Sequence, residues 1–151
     1  MASKSYSLNK ITISYVKEGT IEHRSITTID SAKTAAENIF RYIANAAQEV
    51  FCVMHLNCKH QIIGYHEAFK GGFESCIVDP KVIFQAALLS GASKLILVHN
   101  HPSDDRNPST DDIQMTKKVQ QAASYLDMKI IDHIIITSTG SYSFKENGVL
   151  E

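Results

Sequence analysis

The chain has no long hydrophobic run. The longest uninterrupted apolar stretch is Val50 to Met54, five residues, far short of the roughly 20 needed to span a bilayer. The first ten residues, MASKSYSLNK, lack the apolar core of a secretory signal, so a cytoplasmic location is expected. Cysteine is sparse. Cys52, Cys58 and Cys76 form no CxxC and make an odd count, which excludes a disulfide framework and suits a reducing compartment. A surplus of one charge sign is missing too: 15 basic against 16 acidic residues gives a net of −1. No global basic field argues for nucleic acid. Linkers, internal repeats and low-complexity tracts are absent, and 151 residues suit one domain with a short appendage.

What the chain does have is histidine, seven in all, with His99 and His101 one residue apart. The surrounding pattern is that of an α/β protein. Residues 10–28 read as a hairpin turning at Glu18-Gly19, a separate extension over 1–29. A helix is expected over 32–47, capped by Asp30 or Ser31, with Ala32, Ala35, Ala36, Ile39, Phe40, Ile43 and Ala47 on one face. Strands follow at 50–56 and 61–69, and a short one at 75–78. Asp79-Pro80 starts a helix that runs to Ser90, with Gly91 as its left-handed cap. Residues 94–99 form an apolar strand without alternation, hence a central strand buried on both faces. A polar loop leads to Pro108-Ser109 and a helix reaching about residue 126. A strand over 130–137 turns back through Ser138-Thr139-Gly140 into 141–144. Hairpins mixed with crossovers predict a single α/β (α+β) domain with a mixed central sheet flanked by helices. The central strand ends in the histidine pair, where open sheets place their sites.

In extended chain, residues two apart point to the same side. His99 and His101 therefore converge on one ion without backbone contortion, and Pro102 keeps His101 extended. Zinc takes imidazole nitrogen and carboxylate oxygen, and catalytic sites use three protein ligands plus water. Asp112, in the first turn of the following helix, is the natural third ligand. Ser109-x-x-Asp112 also reads as a capping box, and taken alone that is its commoner meaning. A lone HxH pair is weak as well; the two together on one loop at a strand end favour metal. Asp104, Asp105 and Asp111 compete for the third position and otherwise read as solvated acids. The literal tripeptide H-N-H carries no nuclease signal. The HExxH of helical zinc proteases and the PCxxC of zinc deaminases are missing.

His-x-His-Pro, then six residues, then Ser-x-x-Asp resembles the JAMM motif of the JAB/MPN metalloproteases. The RadC-like bacterial branch is the nearer likeness, through HNHPS, PS..D and the later Asp132-His133-Ile134-Ile135. The likeness covers about residues 30–145. It implies a JAB/MPN (cytidine-deaminase-like) architecture over 30–151 and Zn²⁺ on His99, His101 and Asp112. It further implies Glu49, at a helix-to-strand junction, as general base, and Ser109 as oxyanion support. Glu67 is the rival for the base. The implied reaction is hydrolysis of an amide or isopeptide bond in a peptide or protein. The family name also invites a DNA-repair or mobile-element role, and non-catalytic members make an accessory module a further alternative. Asp104 stands where the family usually has glycine after HPS. Gly72 stands where serine or threonine is usual. No room is left for the helix-hairpin-helix region of full-length relatives, which with the net charge weakens a DNA role.

The remaining candidates have plainer readings. His133 either orients a ligand from behind or is a satisfied core histidine. His23, His55, His60 and His66 have no argued role. Cys52 and Cys76 read as small core hydrophobes, and Cys58 as an exposed turn residue. Lys81 and Lys117-Lys118 read as solvated helix charges. Phe40 and Tyr42 read as packing on the first helix.

Overall fold

The computed structural model describes residues 29–71 and 78–150. The expected hairpin over 10–28, His23, Gly72 and Cys76 lie outside them, as does all of the expected 75–78 strand except Val78, which is not in a strand. The described elements run α1 (Ile29–Ile39), a 3-10 turn (Arg41–Ile43), β1 (Val50–Leu56), β2 (Ile62–Lys70), α2 (Pro80–Ser90), β3 (Lys94–Asn100), α3 (Thr110–Tyr125), β4 (Lys129–Thr137) and β5 (Gly140–Ser143).

The sheet order is β2-β1-β3-β4-β5. Only the β3–β4 pair is parallel, with α3 as its crossover; the other three pairs are antiparallel. The sheet is mixed, as the alternation of hairpins and crossovers predicts. β3 lies at its centre, and Leu95, Ile96, Leu97 and Val98 are all fully buried. That explains the unbroken apolar run: alternate side chains enter two different cores. Leu95 and Leu97 join Phe51, Val53, Ile83, Ala87, Val119 and Ile135 under α2 and α3. Ile96 and Val98 join Cys52, Met54, Ile134 and Ala35 under α1. Each fully buried side chain of this size contributes about 1.5–3 kcal/mol.

The helix ends follow local chemistry. Asp79 caps α2 by accepting from the Lys81 amide at 2.9 Å, Pro80 fills the first turn, and Gly91 closes it at φ 69°. α1 departs from expectation. It starts at Ile29, so Asp30 and Ser31 lie within its first turn instead of capping it. It stops at Ile39, eight residues short of the expected end. The apolar spacing through Ala47 is real, but past Phe40 the backbone tightens: the amides of Ile43, Ala44 and Ala46 each bond the carbonyl three residues back. Asn100, fully buried at the end of β3, accepts from the Val50 amide at 2.7 Å. It also donates to the carbonyls of Gln48 and Ala46 at 3.2 and 3.4 Å. This clamp holds the segment between the tightened helix end and β1.

Candidate metal centre

β3 aims His99 toward the α2/α3 face, parallel to Phe51 of β1 with ring centroids 5.8 Å apart. The strand ends one residue later and His101 turns back toward the same point. The Nε2 atoms of the two histidines are 2.9 Å apart. Asp112 arrives from the first turn of α3: Oδ1 lies 3.2 Å from His99 Nε2, and Oδ2 lies 3.3 Å from His101 Nε2. Among the described residues this is the one group of three or more His, Cys, Asp or Glu whose ligand atoms converge, all within 4.8 Å.

The capping reading and the ligand reading both hold for Asp112. Ser109 caps α3, accepting from the Asp112 amide at 3.1 Å, while Asp112 Oδ2 accepts from the Ser109 amide at 2.7 Å and its hydroxyl at 2.6 Å. The capping box fixes the carboxylate, and the fixed carboxylate leaves Oδ1 facing His99. The two alternatives weighed for this motif are one arrangement.

The donor set fits a tetrahedral zinc ion. Ligand bonds of 2.0–2.2 Å at tetrahedral angles place donors about 3.3 Å apart; the two histidine nitrogens are 2.9 Å apart, each meets a different Asp112 oxygen at 3.2 or 3.3 Å, and one donor atom from each residue lies within 4.8 Å of the others. The protonation pattern fits as well. His101 Nδ1 bonds the Asp105 backbone carbonyl at 2.5 Å. A carbonyl only accepts, so one proton sits on Nδ1; the Nε2 atom then donates to Asp112 when His101 is protonated and turns a lone pair to the centre when it is neutral. Burial raises the pKa of Asp112 and lowers that of His101, but the other contacts of each together outweigh it: His101, His99 and Ser109 for Asp112, and Asp112, the Asp105 carbonyl and Glu49 for His101. The Asp112 carboxyl is held well below the usual carboxylate range, and His101 rises above its ordinary value. Two imidazole nitrogens and an ionised carboxylate around one point call for a cation, a proton or a metal.

Glu49 directly precedes β1 and shares the parity of Phe51, hence the His99 face. Burial raises its pKa. The nearby charges of His99 and His101 oppose that shift, and Asp112 adds to it. A half-buried carboxylate with a raised pKa beside such a centre has the character of a general base. The clamp from Asn100 holds the backbone on both sides of it, at Gln48 and Val50. Glu67 lies elsewhere. It pairs with Cys52 across β1 and β2 and accepts from the Tyr42 hydroxyl at 2.7 Å, on the α1 face.

The competing acids are otherwise engaged or placed. Asp104 accepts from the Ser138 amide and hydroxyl, both at 2.8 Å, and Asp105 binds Asn107. Asp111 is exposed in the first turn of α3. Asp104 has φ 62°, the left-handed region that glycine enters most easily. The loop therefore keeps the shape a glycine would give, and the carboxylate adds a tether to the β4–β5 turn.

His133 is completely buried, with Nε2 2.7 Å from His99 Nδ1 and Nδ1 2.6 Å from Thr116 Oγ1. It is a satisfied core histidine, and one of its two partners is the candidate ligand His99. His55 and His66, which have no argued role in the sequence, meet with Nε2 and Nδ1 2.9 Å apart across β1 and β2. Cys52 is buried and its thiol is pushed up to about 12 by that burial, consistent with a core residue; Cys58 is exposed. No described helix is long and apolar enough to cross a membrane.

Comparison with known proteins identifies the family of the chain. Residues 29–149 match the family described as the RadC-like JAB domain. A UPF0758 protein of Flavobacterium johnsoniae is 43% identical over 121 residues, covering 80% of this chain and 53% of the relative. One from Pelodictyon phaeoclathratiforme is 38% identical over 120 residues, covering 77% and 54%. One from Shouchella clausii is 38% identical over 120 residues, covering 80% and 52%. The chain thus spans about half the length of these curated relatives.

Proposed function

The chain belongs to the RadC-like JAB domain family, and from that premise we propose that it is a zinc-dependent hydrolase of the JAMM type. Its substrate is an amide or isopeptide bond in a peptide or protein. The observation that carries this reading is the convergence of His99, His101 and Asp112 with a half-buried Glu49 beside them. Three protein donors leave a tetrahedral ion one open position, as in catalytic zinc sites. Bound there, zinc supplies Lewis acidity that brings the pKa of a water from 15.7 to about 7.

The chain's own groups then divide the work. Glu49 takes the proton from the attacking water and returns it to the leaving amine. Its raised pKa suits both halves of that transfer, because a strongly acidic carboxyl would accept poorly. Ser109 holds Asp112 by donating its one hydroxyl proton to Oδ2; the oxyanion role that the family resemblance implies requires that proton to swing from Asp112 to the substrate. Such a donor contributes roughly 3–4 kcal/mol at most. Asp105 and Pro102 keep His101 in its ligating orientation.

A role on DNA is the second reading that the family name invites. The net charge of −1 gives it no electrostatic support. The test sets zinc-loaded protein against two probes, a library of amide- and isopeptide-linked peptides and supercoiled plasmid. Peptide cleavage that a chelator stops and that Glu49→Gln abolishes, while the variant retains zinc, is the expected result. Plasmid nicking without peptide cleavage would replace this reading with the nuclease one. Full activity of Glu49→Gln would remove Glu49 from the mechanism.

A further inference from the structure

Behind the three candidate ligands runs a buried chain of hydrogen bonds whose direction is forced at one end. Thr116 Oγ1 lies 2.6 Å from the backbone carbonyl of Asp112, one turn back along α3. The carbonyl can only accept, so the threonine hydroxyl donates to it. Thr116 Oγ1 also lies 2.6 Å from His133 Nδ1. Its one proton being committed, the oxygen must accept here, and the proton sits on His133 Nδ1. In neutral imidazole the other nitrogen is then an acceptor. His133 Nε2, 2.7 Å from His99 Nδ1, therefore takes the proton of His99 Nδ1. His99 is left with its lone pair on Nε2, the atom that faces His101 and Asp112.

The rings are held for this task. His133 lies nearly parallel to Phe144, with centroids 4.4 Å apart and planes 22° apart. Phe51 stacks on His99 and meets His133 edge-on. Thr116 is 2% exposed and both His99 and His133 are fully buried, so water does not compete for these bonds.

We infer that Thr116 and His133 are positioning residues of the metal centre, which set the tautomer of His99 and tie it to the Asp112 turn. This rests on the zinc reading above. Its content is that a hydroxyl and an imidazole that touch no metal decide whether His99 presents a lone pair or a proton. Without the Thr116 oxygen, His133 Nδ1–H has no acceptor. The proton then prefers Nε2, which donates to His99 Nδ1, and the His99 proton moves to Nε2, where a metal must bind. Metal binding has to reverse that shift and strand a buried N–H.

Zinc affinity of the full chain, measured by competition with a chromophoric chelator, tests this without any substrate. Thr116→Val keeps the shape and removes the acceptor, and Thr116→Ser restores it. His133→Phe removes the relay, and His133→Gln restores an acceptor for His99. Losses of about 10–100-fold are expected for His133→Phe and Thr116→Val, the range for groups that orient metal ligands. Thr116→Ser is expected near wild type, with His133→Gln in between. Cobalt(II) spectra of the same variants read the ligand field directly, which a purely structural role would leave unchanged. Equal zinc affinity in wild type, Thr116→Val and His133→Phe would overturn the inference while leaving the metal reading intact. Absence of zinc binding by the wild type would overturn both.

Discussion

Single residues at this centre carry more than one duty, and that decided which were legible. His99, His101 and Asp112 could be read from the chain because they lie within 14 positions and on predictable geometry, a strand end and a helix start. Glu49 and Ser109 followed from family resemblance, and the structure puts Glu49 where the charges of His99, His101 and Asp112 reach it. The His99–His133–Thr116 chain was half visible: His133 could be suspected, but nothing in the spacing of Thr116 connects it to a histidine on β4. The His55–His66 contact depends on the β1–β2 register and was missed. Asp104 shows how a departure from a family pattern can be absorbed. It accepts a left-handed φ of 62° and offsets the strain with two bonds to Ser138. Asp104→Gly should lose the tether but relax the backbone. Asp104→Ala should lose the tether and keep the strain. Denaturant unfolding should place the alanine variant about 1 kcal/mol below the glycine variant; equal stabilities would contradict the strain.

At the scale of elements, most boundaries followed from local chemistry, as the Asp79-Pro80 start and Gly91 end of α2 demonstrate. The end of α1 did not. Residues 40–47 carry helical apolar spacing, yet past Phe40 the amides bond three residues back, and a polar side chain 50 positions away then takes the Val50 amide and the Gln48 carbonyl. Asn100, between the two histidines, reads in sequence as mere spacing. In the fold it points to the opposite face and shapes the segment that carries Glu49. Asn100→Ala would leave the Val50 amide without a partner and free the carbonyls of Ala46 and Gln48. A destabilisation of about 2–3 kcal/mol is expected. Zinc affinity should change little, because the side chain touches no ligand atom. A variant that unfolds no more easily than wild type would show that the clamp does not hold this segment.

At the scale of the whole fold, the central fact among the described residues is a mixed sheet with one α-helix on one face and two on the other. That architecture was readable because β3 is apolar on both faces. It buries histidines that must stay neutral. Burial, followed by the nearby His66, lowers the pKa of His55 from 6.5 to about 4. In that interval the unfolded chain binds the proton and the folded chain does not. Its contribution to stability is therefore complete above pH 6.5 and is lost as pH falls toward 4, by up to about 3 kcal/mol. Stability profiles of wild type and His55→Asn should diverge in slope between pH 6.5 and 4, with the variant flatter. Parallel profiles would mean that His55 is not held neutral in the fold.

The most direct test is the zinc content of protein purified without added chelator, measured by elemental analysis beside Asp112→Asn. One zinc per chain in the wild type, with most of it lost in the variant at unchanged fold, is the result expected of a His99–His101–Asp112 centre. No bound metal in the wild type, or equal zinc in both proteins, would contradict it.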